Sequence, residues 1–126
     1  VTLLLEPLNT RIDHPGMFLN NTRLALDIIE AVDSPRLQLL FDVYHSMVME
    51  EEMEEVLGGR MHRVGHVQIA QAPDRNEPDP RSGEWPNVIA RLQRLGYNGA
   101  IGLEYKPSLP AAASVARARE ATGLSC

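Results

Sequence analysis

Four short apolar runs punctuate the chain, and each is rich in branched residues. The runs cover residues 1–5, 37–41, 64–67 and 100–103. Near-continuous apolar runs of this length are typical of strands that are buried on both faces, as in a parallel sheet. The pattern therefore predicts four strands of such a sheet.

A segment of helical character follows each apolar run. The first starts at Asn21 or Thr22 and continues through Val32, and the others cover residues 50–56, 86–95 and 111–121. A capping residue and an apolar face mark the first of them, and Pro86 suits the first turn of the third. We expect the acidic run at residues 50–55 to be a solvated helix face. The resulting βαβαβαβα order predicts right-handed crossovers and an α/β fold.

An oxygen-bearing side chain ends each predicted strand. These residues are Glu6, Asp42, Gln68 and Glu104, at spacings of 36, 26 and 36 residues. The carboxyl ends of parallel strands lie on one edge of a sheet or barrel, where ligands bind. We therefore expect the four side chains to converge, although each acid on its own is also compatible with capping the next helix.

Three converging carboxylates repel one another unless they are protonated or neutralised by a cation. Two carboxylates about 4 Å apart repel by roughly 4 kcal/mol at an effective dielectric constant near 20. Carboxylate and amide oxygens suit Mg²⁺ or Mn²⁺ better than Zn²⁺. The sequence thus predicts one divalent hard metal, held by Glu6, Asp42, Gln68 and Glu104.

Two further polar residues belong to the same edge of the sheet. His45 lies three residues after Asp42, close enough to reach the site, and its alternative role is loop packing. Arg75 lies in a loop predicted over residues 70–83, and long loops in compact domains are often functional. Its guanidinium suits an anionic or hydroxylated substrate, and its alternative role is a surface charge.

Composition narrows the possible partners. The chain has 126 residues, with 12 Lys and Arg against 17 Asp and Glu, for a net charge of −5. This balance disfavours nucleic-acid binding, and no apolar stretch approaches the ~18 residues of a membrane helix. A single cysteine, Cys126, excludes an intrachain disulfide and is expected to be a tail residue without a role. No signal peptide is recognisable, so we expect one domain over residues 1–126 in the cytoplasm.

Several motifs resemble hydroxypyruvate isomerases, which belong to the xylose-isomerase-like TIM barrels. The resemblance runs from the first residue to about Pro107. The segments that carry it are Glu6-Pro7-Leu8-Asn9-Thr10-Arg11, Asp42-Val43-Tyr44-His45, Gly65-His66-Val67-Gln68-Ile69-Ala70, Arg75-Asn76-Glu77-Pro78-Asp79, and Gly96 through Tyr105. It implies the same four metal ligands, Glu6 and Glu104 as acid/base carboxylates, and substrate contacts from His45 and Arg75.

The activity implied by the resemblance is conversion of hydroxypyruvate to tartronate semialdehyde by proton transfer through an enediolate. A ketose 3-epimerase or a 2-oxo-tetronate isomerase would use the same metal and glutamates. Gln68, where the epimerases generally carry a histidine, favours the hydroxypyruvate group. A zinc phosphodiesterase is disfavoured because that chemistry uses several histidine ligands.

The resemblance also implies that the fold is a TIM (β/α)₈-type barrel of which this chain supplies four βα units. These units match the C-terminal half-barrel, and whole barrels of this type have about 250 residues. A half-barrel leaves two strand edges unpaired. We therefore expect the chain to need an N-terminal half or a second copy, the alternative being a non-catalytic truncated half-barrel.

Overall fold

A parallel four-stranded sheet carries the fold in the computed structural model, which describes residues 1–124; Cys126 lies outside this range. The strands are β1 (Leu3–Leu5), β2 (Leu37–Asp42), β3 (Val64–Ile69) and β4 (Ile101–Leu103). The helices are α1 (Thr22–Val32), α2 (Val43–Val48), α3 (Met53–Leu57), α4 (Trp85–Arg94) and α5 (Ala111–Thr122). Two short 3-10 turns, Met61–Arg63 and Pro80–Ser82, complete the regular structure, and the second lies inside the loop predicted over residues 70–83.

The strands lie in the order β1-β2-β3-β4, and each pairs in parallel with its neighbour in sequence. This is the order of consecutive strands in a (β/α) barrel, as predicted. Over residues 1–124, β1 and β4 each have one strand neighbour and therefore one free edge. Both of these edge strands expose leucines, namely Leu3, Leu4 and Leu103.

The two faces of the sheet are packed differently. Side chains on one face are fully buried beneath the helices, among them Leu39, Phe41, Val67 and Ile69. The alternate positions Leu40, His66 and Gln68 are only partly covered. His66 lies against Gly102 on this second face, and a Cβ added at Gly102 would come within 2.7 Å of His66 Nε2. The second face is the one that lines the interior of a barrel.

Helix α1 begins as the sequence predicts. The side chain of Asn21 accepts a hydrogen bond from the Leu24 N–H at 2.8 Å, which settles the cap on Asn21 rather than Thr22. The helix buries Leu26 and Ile29 against the sheet, and it ends at Val32, after which Asp33 adopts the left-handed conformation.

The prediction of a helix over residues 50–56 is wrong about where the helix begins. Helix α3 begins only at Met53, and a separate short helix, α2, directly follows β2. Glu50 adopts a left-handed backbone with φ 59°, which interrupts the helical path. The carboxylate of Glu51 accepts hydrogen bonds from the N–H (2.7 Å) and hydroxyl (2.6 Å) of Thr22 at the start of α1. One member of the acidic run therefore has a structural role and is not simply solvated.

Among residues 1–124, none of the helices combines the length and the apolar character that a membrane crossing requires.

Candidate metal and substrate site

The carboxyl ends of the strands place the four predicted oxygen ligands on one edge. Glu6 follows β1 and Glu104 follows β4, while Asp42 is the last residue of β2. Gln68 is paired in register with Asp42 on one side and with Gly102 on the other. One ligand atom each of Glu6, Asp42 and His45 lies within 4.8 Å of the other two.

Three buried oxygens at this edge have no hydrogen-bond partner in the described part of the chain. They are Oε1 of Glu6, Oδ2 of Asp42 and Oε1 of Gln68. Buried polar atoms in folded proteins are nearly always hydrogen-bonded, and leaving them unpaired is costly. An all-oxygen set with unused acceptors fits a hard divalent cation. The residues present are therefore compatible with the metal that the sequence predicts.

The electrostatics of the two buried carboxyls agree with this fit. Burial, together with the nearby carboxylates of Asp42 and Glu104, raises the pKa of Glu6 to about 7, and Arg75 acts against the rise. Burial likewise raises the pKa of Asp42 to about 6, although its hydrogen bond from Tyr44 and the charge of Arg75 oppose the shift. A cation that binds here would replace protons, since metal ligands must be deprotonated.

His45 is fixed beside Glu6 by contacts from the loop after β1. Its Nδ1 lies 3.2 Å from the N–H and 2.7 Å from Nδ2 of Asn9 and accepts from both. In the neutral ring the proton then resides on Nε2, which lies 3.8 Å from Glu6 Oε1. Burial lowers the pKa of His45 to about 4, and the charges of Arg75 and His14 add to the effect. His45 is thus a neutral group that presents a donor to the site.

Arg75 reaches the site from the long loop. Its Nη2 donates to Oε2 of Glu104 at 2.9 Å and lies 4.0 Å from Oδ2 of Asp42. The same atom is 3.4 Å from Nε2 of His45, and the guanidinium stacks 5.0 Å from the ring centre of Tyr44. The structure thus places Arg75 beside the strand-end acids rather than on the outer surface. Glu104, whose side chain is half exposed, is the least buried of these acids.

A polar network around Asp13 supports His45 and Arg75. Asp13 Oδ2 accepts from the Tyr44 hydroxyl at 2.6 Å and from Asn9 Nδ2 at 2.8 Å, and it lies 3.8 Å from Arg75 Nη1. The sequence analysis assigned no role to Asp13 or Tyr44, since neither ends a strand. Tyr44 lies within the Asp42-Val43-Tyr44-His45 motif, and the only signal for Asp13 was its closeness in sequence to Glu6.

A further buried carboxylate, that of Glu77, joins the long loop to the segment after β4. It accepts the N–H and the hydroxyl of Ser108 at 2.9 and 2.6 Å, and only 1% of its side chain is exposed. Burial alone would raise the pKa of Glu77, but the hydrogen bonds from Ser108 outweigh it and lower the pKa to about 2. The anchor therefore holds the segment that carries Arg75 against the segment that carries Glu104.

Replacing Glu77 with Ala is expected to reduce the free energy of unfolding by roughly 1–3 kcal/mol, because the two hydrogen bonds from Ser108 to this buried carboxylate are lost. Urea unfolding near neutral pH measures the effect. Asp74→Ala is the matched control, since Asp74 is an exposed acid of the same loop. A loss at Glu77 no larger than that at Asp74 would contradict the anchor.

The fold and the site together define the class of protein. A family profile described as "Xylose isomerase-like TIM barrel" matches residues 1–122, and the chain belongs to this family. The resemblance inferred from the sequence motifs is confirmed.

Two curated proteins and one crystal structure are similar to this chain. The chain is 43% identical over 105 residues to a putative hydroxypyruvate isomerase of Xenopus laevis, covering 82% of this chain and 38% of that protein. It is 40% identical over 107 residues to a 2-oxo-tetronate isomerase of Cupriavidus necator, covering 85% and 41%. A crystal structure of an AP endonuclease, family 2, from Brucella melitensis superimposes with a TM-score of 0.82 at 34% identity, covering 92% of this chain and 45% of that one. The chain thus spans about two-fifths of the length of these curated relatives.

Proposed function

We propose that the protein is a metal-dependent isomerase of a small sugar acid, with Glu6, Asp42, Gln68 and Glu104 as ligands of one Mg²⁺ or Mn²⁺ ion. The observation that carries the proposal is the set of three buried, unpartnered oxygens at the strand ends. Oxygen donors without cysteine or a clear histidine ligand favour these two metals. The relatives named as isomerases support the reaction class.

His45 lies beside the carboxylates, but its hydrogen bonds argue against a role as a metal ligand. Because Nδ1 of His45 accepts from Asn9, Nε2 carries the proton and is a donor, not a free ligand atom. We assign His45 the role of donating a hydrogen bond to a substrate oxygen. Gln68 instead supplies the oxygen that completes the ligand set.

Glu6 and Glu104 follow the two outer strands and so flank the space between them. In the proposed reaction one carboxylate removes a proton from the hydroxymethyl carbon of hydroxypyruvate. A proton returns to the former carbonyl carbon, from the partner glutamate or from water. The hydroxyl proton of the hydroxymethyl group passes to the former carbonyl oxygen, and the product is tartronate semialdehyde. A bound divalent cation supplies stabilisation of the negative charge that develops on the two substrate oxygens.

The charge at Arg75 favours an acid over a neutral sugar. Its guanidinium side chain is only 15% exposed and lies beside the proposed ligands. In this position it would donate two parallel hydrogen bonds to the carboxylate of a substrate. Hydroxypyruvate and 2-oxo-tetronate both carry such a carboxylate, whereas the ketose substrates of 3-epimerases do not. We therefore rank the acids first and keep ketose 3-epimerisation as the alternative.

The test is isomerisation of hydroxypyruvate with Mg²⁺ or Mn²⁺, with a chelator control. A four-carbon 2-oxo acid and a ketohexose serve as comparison substrates. We expect turnover of an acid that is lost on chelation and restored by metal. Turnover that survives exhaustive chelation would contradict the metal, and preference for the ketohexose would favour the epimerase.

We further propose that four more βα units complete the barrel, from an N-terminal half or from a second copy of this chain. The free edges of β1 and β4 and the partly covered second face of the sheet support this proposal. Native mass spectrometry with the activity assay distinguishes the sources. An active dimer supports self-completion. A monomer that becomes active only with an added N-terminal half supports the other source, and an active monomer contradicts both.

A further inference from the structure

The position of Arg75 relative to the acids suggests a second role. The guanidinium lies 2.9 Å from Glu104, 4.0 Å from Asp42 and 3.8 Å from Asp13, measured between the nearest nitrogen and oxygen atoms. It is the cation that these acids share in the structure as it stands. Two of the three, Glu104 and Asp42, are proposed metal ligands.

The backbone of Arg75 is fixed by its neighbours. Its φ of 56° lies in the left-handed region, which non-glycine residues adopt only when the surroundings impose it. The carbonyl of Arg75 accepts the Lys106 N–H at 2.7 Å, and the flanking residues Gln71 and Asn76 form a backbone bridge. Because these contacts restrain the backbone, we expect a rearrangement at the site to involve the side chain of Arg75.

A divalent cation and this guanidinium compete for the same oxygens. Like charges a few ångströms apart in a partly buried site repel strongly. The nitrogen that donates to Glu104 also faces the unpartnered oxygen of Asp42, which is the oxygen that the proposed metal would coordinate.

We propose that Arg75 is an internal counter-cation that pairs with Glu104 while the metal is absent and must release it when the metal binds. This inference rests on the proposed function. Release frees the guanidinium for the carboxylate of the substrate. Metal binding and acid binding are thereby coupled through one side chain, so that each favours the other.

The first test is the affinity for Mn²⁺ alone, measured by calorimetry at one fixed alkaline pH on the assembled barrel that the native-mass experiment identifies. Removing the competing charge in Arg75→Ala is expected to tighten Mn²⁺ binding by at least about tenfold. Arg75→Lys keeps a positive charge and is expected to stay within about threefold of the parent. Arg81→Ala, which removes an exposed charge from the same loop, is the matched control and should leave the affinity unchanged.

The second test is made on the parent chain and does not depend on the folding of Arg75→Ala. The arginine side-chain N–H signals of the parent chain, labelled with ¹⁵N, are followed by NMR during a Mg²⁺ titration. Comparison with Arg75→Lys assigns the signal of Arg75. We expect this signal to shift in step with Mg²⁺ binding while the signal of Arg81 stays constant.

The outcomes separate the two proposals. Equal or weaker Mn²⁺ affinity in folded Arg75→Ala overturns the counter-cation and leaves the metal site standing. If that variant is unfolded, an unmoved Arg75 signal while Mg²⁺ binds the parent overturns it in the same way. Absence of metal binding in the parent and in every variant overturns both proposals together.

Discussion

Turnover by the Glu104→Gln variant is expected to fall by roughly 10²–10⁴-fold, the usual contribution of a positioned acid or base. The substitution keeps the shape of the side chain but removes the carboxylate that receives or returns a proton. It also removes the charge that pairs with Arg75. The measurement is kcat at saturating Mn²⁺, on the assembled barrel that the native-mass experiment identifies.

Metal content decides how that loss is interpreted. If the variant retains stoichiometric Mn²⁺ and loses turnover, proton transfer is the step affected. Glu120→Gln, an exposed carboxylate on α5, is the matched control and should turn over like the parent. Turnover close to the parent value in metal-bound Glu104→Gln would mean that the two-carboxylate mechanism is wrong.

The Glu6→Gln variant is expected to be more stable than the parent when metal is absent, by on the order of 2 kcal/mol above pH 7. The pKa of Glu6 is raised from 4.5 to about 7 in the folded chain, chiefly by burial. A group with a raised folded pKa favours folding at low pH, and this contribution is lost as the pH rises through its folded value. The parent should therefore lose stability between about pH 4.5 and 7 through Glu6.

Urea unfolding in the presence of a chelator, repeated over that pH range, measures the difference. Glu6→Gln should flatten the decline with pH, whereas Glu120→Gln should leave it unchanged. Added Mn²⁺ should stabilise the parent at high pH and stabilise Glu6→Gln much less. A decline of equal size in parent and variant would show that the pKa of Glu6 is not raised in the folded chain.

The strand ends were predictable because their logic is local and topological. An apolar run followed by an oxygen-bearing residue, repeated four times, requires only that the sheet be parallel. The family was predictable because the motifs lie near those same strand ends. The structure agrees on the sheet and on the placement of Glu6, Asp42 and Gln68 along one edge.

The remainder depended on contacts between distant segments. Helix α2 was not predicted because six residues carry too little periodicity. Glu51 lies outside the helix predicted for it, and its carboxylate accepts hydrogen bonds from Thr22, which is 29 residues away in the sequence. The role of Glu77 depends on Ser108, which lies beyond the next strand. The direction of Arg75 depends on a backbone conformation that its own sequence does not favour.

The two oxygens of the Asp42 carboxylate have different roles. Oδ1 accepts the Tyr44 N–H at 2.8 Å and so starts helix α2, while Oδ2 faces the proposed metal. A cation that is coordinated by this carboxylate also restrains the first turn of α2. The amide of Tyr44 should therefore exchange its hydrogen more slowly when Mg²⁺ is bound, which makes one backbone proton a reporter of site occupancy. The same geometry restricts substitution: asparagine would keep the cap and lose the charge, and glutamate would keep the charge and displace the cap.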